Sequence, residues 1–324
     1  MKTGILRTLA LALVGASLVA CSGGGGGGAS IQQPSSTAPG STTNPGGTGG
    51  STTGGTTGGS TGGTTTPQVT TGDFTMLTYN VAGLPQIISG VNPLGHMPLI
   101  SPKLNAYDLV LVQEDFAYHP ELAQDVTHPF QSQPQTNVNT FVNDGLNQFS
   151  QFDWTDFRRE TWHMRYGLWS NSNDGLSSKG FSVCRMELAP GVVVDVYNLH
   201  ADAGGAQEDI DARASNFSQL TQFMQNFSPA SNAVIVAGDT NLKVTRAQDE
   251  ATLQLFLQQT NMQVVARVLG QTPDLIDRVM WRNGTHVQLD PQSRRLATEM
   301  RDASGNPLSD HEGIVVNFVW QFFP

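Results

Sequence analysis

From Phe74 onward the chain sets short apolar, β-branched runs between polar turns. Seven runs read as strands: Phe74 to Val81, Tyr107 to Val112, Phe181 to Leu188, Val192 to Leu199, Ala233 to Ala237, Leu275 to Trp281 and Gly313 to Phe322. Between the fourth and fifth, Ile210, Ala214, Phe217, Leu220, Met224 and Phe227 line one face of an amphipathic helix. The spacing predicts a second helix over Ala247 to Gln259. Strands outnumber helices but are crossed by them, so the class is mixed α and β, and periodicity alone goes no further.

Before Phe74 the pattern is different. Residues 1–72 contain no Asp or Glu and are dominated by Gly, Ser and Thr, a composition that cannot build a core. Lys2 and Arg7, then the apolar run Leu9 to Val19, read as an export signal too short to span a bilayer stably. Leu18-Val19-Ala20-Cys21 resembles the bacterial lipobox, which implies cleavage before Cys21 and lipidation of that cysteine; a plain cleaved signal is the alternative. Ser22 after the cysteine points to the outer membrane if the cell is Gram-negative. The expected organisation is a signal segment over 1–21, a flexible Gly/Ser/Thr-rich tether over 22–72 and one domain over 73–324. At about 5–6 Å times the square root of its length, the tether would hold the domain roughly 40 Å from its anchor.

Charge and cysteine narrow the chemistry. Of 17 basic residues only Lys2 and Arg7 precede position 73, so the domain carries 15 basic against 27 acidic residues, a net charge of −12. It has no polybasic footprint for nucleic acid, although enzymes that bind phosphate through metal ions can be acidic. Apart from Cys21 the only cysteine is Cys184, so the domain has no internal disulfide and core packing must hold it. Cys184 sits in a strand-like run and is expected in the core, not as a nucleophile.

Polar residues gather at the strand ends. Asn80 closes the first run, Glu114 follows the second, His200 follows the fourth, and Asp239 and Asn241 follow the fifth. Asp277 lies inside the sixth, and Asp310-His311 precede the last. If these ends converge, one cleft holds carboxylates for a hard divalent cation and imidazoles for proton transfer, which phosphodiester hydrolysis requires. Singly, each residue has a duller reading: Asn80 and Asn241 as turn residues, Asp239 as a cap, His200 and His311 as structural histidines, Glu114 as a surface group. The argument rests on their joint order.

Six ordered motifs carry a resemblance: Thr78-Tyr79-Asn80-Val81-Ala82-Gly83-Leu84-Pro85, Gln113-Glu114, Asn198-Leu199-His200, Gly238-Asp239-Thr240-Asn241, Ile276-Asp277-Arg278-Val279 and Ser309-Asp310-His311. Together they are similar to the motifs of the endonuclease/exonuclease/phosphatase (DNase I-like) superfamily. The resemblance implies a four-layered α/β sandwich with two central mixed β-sheets flanked by helices. It implies metal binding by Glu114, Asn80 and Asp310, with Mg²⁺ as the cofactor and Mn²⁺ or Ca²⁺ as alternatives. It also implies that Asp239 orients the attacking water and that Asn241 binds the phosphate or the developing charge. His311, paired with Asp277 or Asp310, and His200 are expected to be catalytic, with their individual roles left open. Ser150-Gln151-Phe152-Asp153 departs from the family's Ser-Arg-Tyr-Pro stretch, which removes a phosphate-binding arginine there; Arg158, Arg159, Arg165 or Lys179 are candidates to compensate.

Asp174-Gly175-Leu176-Ser177-Ser178-Lys179-Gly180-Phe181 resembles a stretch of bacterial sphingomyelinases, as does Ala212-Arg213-Ala214 after the His200 motif. These favour release of a phospholipid head group, with Lys179 as a substrate-binding residue. Ile276-Asp277-Arg278-Val279 looks more like the deoxyribonuclease I version, and no aromatic hairpin stands out between Asn241 and Asp277, so an endonuclease is the alternative. An inactive surface-displayed binding protein is a third reading, against which stands the complete polar set. The expected partners are a phosphodiester, lipid or nucleic acid, and a membrane reached through the lipid anchor; no protein partner is evident. The expected location is the bacterial cell envelope.

Overall fold

A computed structural model describes residues 70–84, 92–136, 140, 142–167 and 177–324. The segment expected as an export signal with Cys21, all but the last three residues of the expected tether, and Asp174 to Leu176 lie outside the described residues. Strand β1 (Thr70–Asn80) is followed by helix α1 (Pro93–Ile100), a 3-10 turn (Ser101–Ala106), β2 (Leu109–Gln113), α2 (His119–Ala123), β3 (Phe130–Gln131), β4 (Asn147–Ser150) and β5 (Asp153–Thr161). Strands β6 (Gly180–Ala189) and β7 (Val192–His200) pair as a hairpin, and α3 (Gln207–Phe227) crosses over to β8 (Ala233–Asp239). Helix α4 (Ala247–Thr260), β9 (Gln263–Val264) and α5 (Val265–Val268) precede β10 (Asp277–Arg282), β11 (Val287–Leu296) and β12 (Ile314–Phe322).

Two six-stranded sheets result, in the orders β11-β12-β1-β2-β4-β3 and β5-β6-β7-β8-β10-β9. Each is mixed: β1 and β2 run parallel in the first, β7 and β8 in the second, among antiparallel neighbours. Alternation explains how they stack. Phe74, Met76, Leu109 and Leu111 of one sheet meet Val194, Val196, Ile235, Ala237 and Val279 of the other in a shared core. The opposite faces bury Leu77, Tyr79 and Val110 with Met97 and Ile100 of α1, and Tyr197 and Val236 with Phe217 and Leu220 of α3 and Phe256 of α4. Burying each such side chain contributes roughly 1.5–3 kcal/mol, enough for core packing to hold the domain without disulfides. The product is helix, sheet, sheet, helix, the four-layered sandwich expected. Among the described residues no helix is long and apolar enough to cross a membrane.

Differences from expectation have local causes. Strand β1 begins at Thr70, within the segment expected as tether, because Thr70, Thr71 and Gly72 pair with Phe322, Gln321 and Trp320. Gly72 is there for space: a Cβ would come within 2.5 Å of the Trp320 indole. Asp277 opens β10 rather than lying inside it. Strands β4 and β5 carry no strong apolar alternation, and in β11 the alternation of Val287, Leu289 and Pro291 lasts only to Pro291. Strand β5 is a largely exposed edge with a bulge between Thr155 and Arg158, and β11 is an edge that tolerates Pro291 at its own bulge.

Candidate active site

The strand faces that build the inter-sheet core turn polar at one end. Along β7 the inner positions run Val192, Val194, Val196, Asn198, His200; along β8 they run Ala233, Ile235, Ala237, Asp239; along β10, back from Trp281, they reach Val279 and Asp277. His200 pairs with Asp239 and Asp239 with Asp277, so the three form one row across the sheet. On the facing sheet the inner positions of β1 end at Asn80, in register with Gln113. Period-two alternation alone therefore brings these polar ends into one slot between the sheets.

Glu114 needs one more step. Strand alternation puts Gln113 on the inner face, where its Nε2 donates to Asn198 Oδ1 at 2.7 Å, and would turn Glu114 away. Glu114 leaves the strand with φ 59°, an uncommon conformation for a residue with a Cβ, and its Oε1 accepts from Asn80 Nδ2 at 3.2 Å. Asn241 is similarly left-handed, at φ 51°. Gly238 at φ 137° brings its backbone against β7, where a Cβ would lie 2.0 Å from the Leu199 carbonyl oxygen.

Asn80 Nδ2 also lies 3.3 Å from Asp239 Oδ2 and 3.5 Å from His311 Nε2. His200 Nε2 is 3.4 Å from Asp239 Oδ2 and 3.8 Å from Glu114 Oε1. His311 Nδ1 is 2.9 Å from Asp277 Oδ2, and its Nε2 is 3.8 Å from Asp239 Oδ2. Two carboxylates and two imidazoles thus surround one another with Glu114 at the rim. Burial works against ionisation of Asp239, but His200, His311 and Lys179 hold its carboxyl well below the usual range. Burial and the Asp239 charge push Asp277 up. Burial opposes a proton on His311, but the hydrogen bond and charge of Asp277, with the charges of Asp239 and Asp310, raise it instead. The slot thus has surplus negative charge and holds a proton tightly, which is also the condition for binding a cation.

The donors suit a hard divalent ion. Asp239, Asp277 and His311 each offer a ligand atom, and these atoms lie within 4.8 Å of one another. Among the described residues Asp277 Oδ1 is buried without a hydrogen-bond partner, leaving lone pairs that a cation would satisfy. Two residues expected from sequence as ligands are placed differently from this cluster. Asp310 is exposed, with its Oδ1 3.4 Å from Ser309 Oγ, and is not among the three clustered ligand atoms, although its charge acts on His311. Asn80 turns its amide nitrogen to the carboxylates while its Oδ1 accepts from Ala82 N at 3.0 Å. It is a donor in this arrangement, with its amide oxygen on the Ala82 N–H.

Asn241 borders the slot, with its amide on the Ala201 carbonyl at 3.1 Å and its own N–H on Asp239 Oδ1 at 3.0 Å. Lys179 is buried and contributes its charge to Asp239. The arginines considered as compensators are engaged elsewhere: Arg159 with Asp144 at 2.7 Å, Arg158 over the Phe227 ring, Arg165 on the Ser177 carbonyl. Cys184 is buried, and that burial pushes its thiol up to about 12, as a core residue should be. Two supports carried no role in the sequence reading. Ser309 Oγ donates to the Asn80 carbonyl at 2.7 Å and accepts from His311 N at 3.1 Å, joining the two loops. Asn198 Nδ2 donates to the carbonyls of Val112 at 2.9 Å and Asn147 at 3.1 Å, stitching the sheets together below the slot. Both stand inside motifs, but only contacts between distant strands give them work.

No family model matches the chain. A sphingomyelinase of Mycobacterium tuberculosis is 34% identical over 277 aligned residues, covering 78% of this chain and 54% of the relative. The chain thus spans about half the length of the mycobacterial relatives it matches. A beta toxin double mutant from Staphylococcus aureus, solved with bound magnesium ions, has a TM-score of 0.57 at 16% identity, covering 76% of this chain and 99% of that one. TDP2 of D. rerio, solved with a single-strand DNA product, has a TM-score of 0.58 at 17% identity, covering 76% of this chain and 98% of that one. The chain is therefore similar in sequence to a mycobacterial sphingomyelinase over about half of that relative's length, and it has the DNase I-like fold that the beta toxin and TDP2 structures also have.

Proposed function

We propose that the domain is a divalent-metal-dependent phosphodiester hydrolase that releases the head group of a choline phospholipid, with sphingomyelin as the first substrate to test. The observation that carries this reading is the convergence of Asp239, Asp277, His311, His200, Asn80 and Glu114 in one slot. Asp239, kept ionised, holds and orients a water, whose oxygen forms a new bond to phosphorus as the bond from phosphorus to the lipid oxygen breaks. One proton leaves the water and one reaches the departing oxygen, giving phosphocholine and a lipid alcohol. His311 and His200 are the groups placed to move those protons. Mg²⁺ or Mn²⁺, held by Glu114 with Asp239, Asp277 and His311 in reach, would neutralise the phosphate charge. Lys179 and Asn241 would face the phosphate oxygens.

The substrate choice rests on the sphingomyelinase relatives and on a net domain charge of −12, which disfavours a polyanion. Purified residues 70–324 should release phosphocholine from sphingomyelin vesicles with Mg²⁺, stop in EDTA and recover when metal is returned. Plasmid nicking without lipid hydrolysis would transfer the reading to an endonuclease. Hydrolysis of neither, even of bis-p-nitrophenyl phosphate, would leave a binding protein.

Export and anchoring through a lipidated Cys21 complete the proposal, because a lipid substrate suits an enzyme tethered near a membrane. Two acyl chains anchor stably where one is marginal. Mass spectrometry should find the mature chain beginning at diacylated Cys21, and Cys21→Ser should leave the membrane fraction.

A further inference from the structure

We propose that Arg213 and Asp249 are positioning residues that set the two loops leaving the active-site slot after His200 and Asp239; this rests on the hydrolase reading above. Strands β7 and β8 are parallel neighbours, so the two loops depart side by side. Their last ties near the sheet are Ala201 N to the Asp239 carbonyl at 2.9 Å and Asn241 Nδ2 to the Ala201 carbonyl at 3.1 Å. Beyond these, the sheet offers no further ladder.

The hold passes to one fully buried guanidinium. Arg213 Nη1, from α3, donates to the carbonyls of Asp202 and Gly204, both at 3.2 Å, which fixes the loop after His200. Its Nε meets Asp249 Oδ1 of α4 at 3.0 Å, with neither side chain more than 1% exposed. Asp249 Oδ2 then accepts from Lys243 N at 3.1 Å and Arg246 Nη1 at 2.7 Å, which fixes the loop after Asn241. The Asp202 end is tied further: its N–H donates to Asn216 Oδ1 at 3.0 Å, and its Oδ2 accepts from Tyr166 N at 2.9 Å.

The chemistry of this pair argues for placement rather than stability. A buried ion pair gains little over well-packed apolar side chains, since desolvating both charges offsets their attraction. What an apolar pair cannot do is hold two carbonyls and a backbone N–H from different loops at fixed points. Arginine can, because its planar fork carries five donors in set directions, whereas a lysine ammonium on a flexible stem cannot reproduce that pattern. A shift of these loops would move Ala201 and Asn241, and with them His200 and the water held by Asp239. Displacements of about 1 Å can lower turnover by as much as 100-fold.

The test has an arm that needs no activity. In the wild-type protein the Lys243 amide, held by Asp249, should exchange its hydrogen much more slowly than the exposed amides of Val244 and Thr245. In Arg213→Lys, exchange across 201–206 and at Lys243 should quicken while the core strands stay protected. With Mg²⁺ and bis-p-nitrophenyl phosphate, the same variant should keep KM within about twofold and lose kcat by at least about tenfold per folded molecule. A rapidly exchanging Lys243 amide in the wild type overturns the clamp even if every variant misfolds. Wild-type kcat in a folded Arg213→Lys protein overturns its role in placement. A wild-type protein without turnover defeats the hydrolase reading and, with it, this role, while the exchange arm still decides whether the loops are clamped.

Discussion

His311 Nδ1 lies 2.9 Å from Asp277 Oδ2, tying the loop before β12 of one sheet to the first residue of β10 in the other. The pair makes the slot a junction between the sheets as well as a candidate site of chemistry, and its protonation couples to folding. Burial opposes the His311 proton, but Asp277 and the neighbouring carboxylates raise its pKa to about 10. A group raised in this way adds stability that is complete below its unfolded value of about 6.5 and is lost as pH rises through the folded value. In EDTA the domain should therefore lose stability between about pH 6.5 and pH 10, with a slope of at most ~1.4 kcal/mol per pH unit. Urea unfolding across that range measures it. Asp277→Asn should flatten the slope, and an unchanged slope would remove the pair from this account.

Glu114 combines a strained backbone with the carboxylate placed at the rim. Its φ of 59° costs a residue with a Cβ about 1 kcal/mol relative to glycine. Glu114→Gly should thus unfold at a slightly higher temperature yet bind Mg²⁺ far more weakly, while Glu114→Gln should lose metal affinity without the stability gain. Calorimetric titration with Mg²⁺ alongside thermal melts checks both. Tight metal binding by either variant would take Glu114 out of the ligand set.

Much of this site was legible because the alternation that buries the core also aims its ends. In β7, β8 and β10 the inner positions run mostly apolar toward His200, Asp239 and Asp277, so the sequence put these residues at strand ends, while strand pairing sets them in one row. Sequence does not rank Asp310 against His311: the two are neighbours in a loop, where no period says which faces inward, and Asp310 is the exposed one. Asn80 sat where expected, but the choice between its amide oxygen and nitrogen depends on the Ala82 N–H, which sequence does not reveal. The edge β5 was hard to read for another reason, and β11 offered only the short alternation of Val287, Leu289 and Pro291. Edge strands face water on more sides, so β5 needs only weak alternation, and bulges at Thr155 and Pro291 interrupt what period there is.

The inter-sheet amides give a stability prediction separate from catalysis. Asn198 accepts from Gln113 Nε2 at 2.7 Å and donates to the Val112 and Asn147 carbonyls, all out of contact with water. Asn198→Leu is close in size but leaves these partners unsatisfied in the core. It should destabilise the domain by about 1–3 kcal/mol, measured by urea unfolding at neutral pH. A neutral outcome would mean that water reaches the gap between the sheets.

Asp239 and His311 separate catalyst from scaffold most sharply. Asp239 is the carboxylate on which His200, His311 and Asn80 converge, at 3.4, 3.8 and 3.3 Å, and His311 sits between it and Asp277. If they act together on the water and its proton, each single variant should already forfeit most of what the pair supplies. Asp239→Asn and His311→Ala should each lower kcat by about 10²–10⁴-fold, the usual scale of general acid–base catalysis. The double variant should fall well short of the product of the two losses. Thermal midpoints bear on the same question, since removing His311 takes from Asp277 a side-chain hydrogen bond while taking little apolar contact from the core. At neutral pH His311→Ala should therefore melt somewhat lower yet remain cooperative. Near-normal turnover in that variant would show that the proton moves by another route, and losses that multiply in full would show that Asp239 and His311 serve different steps.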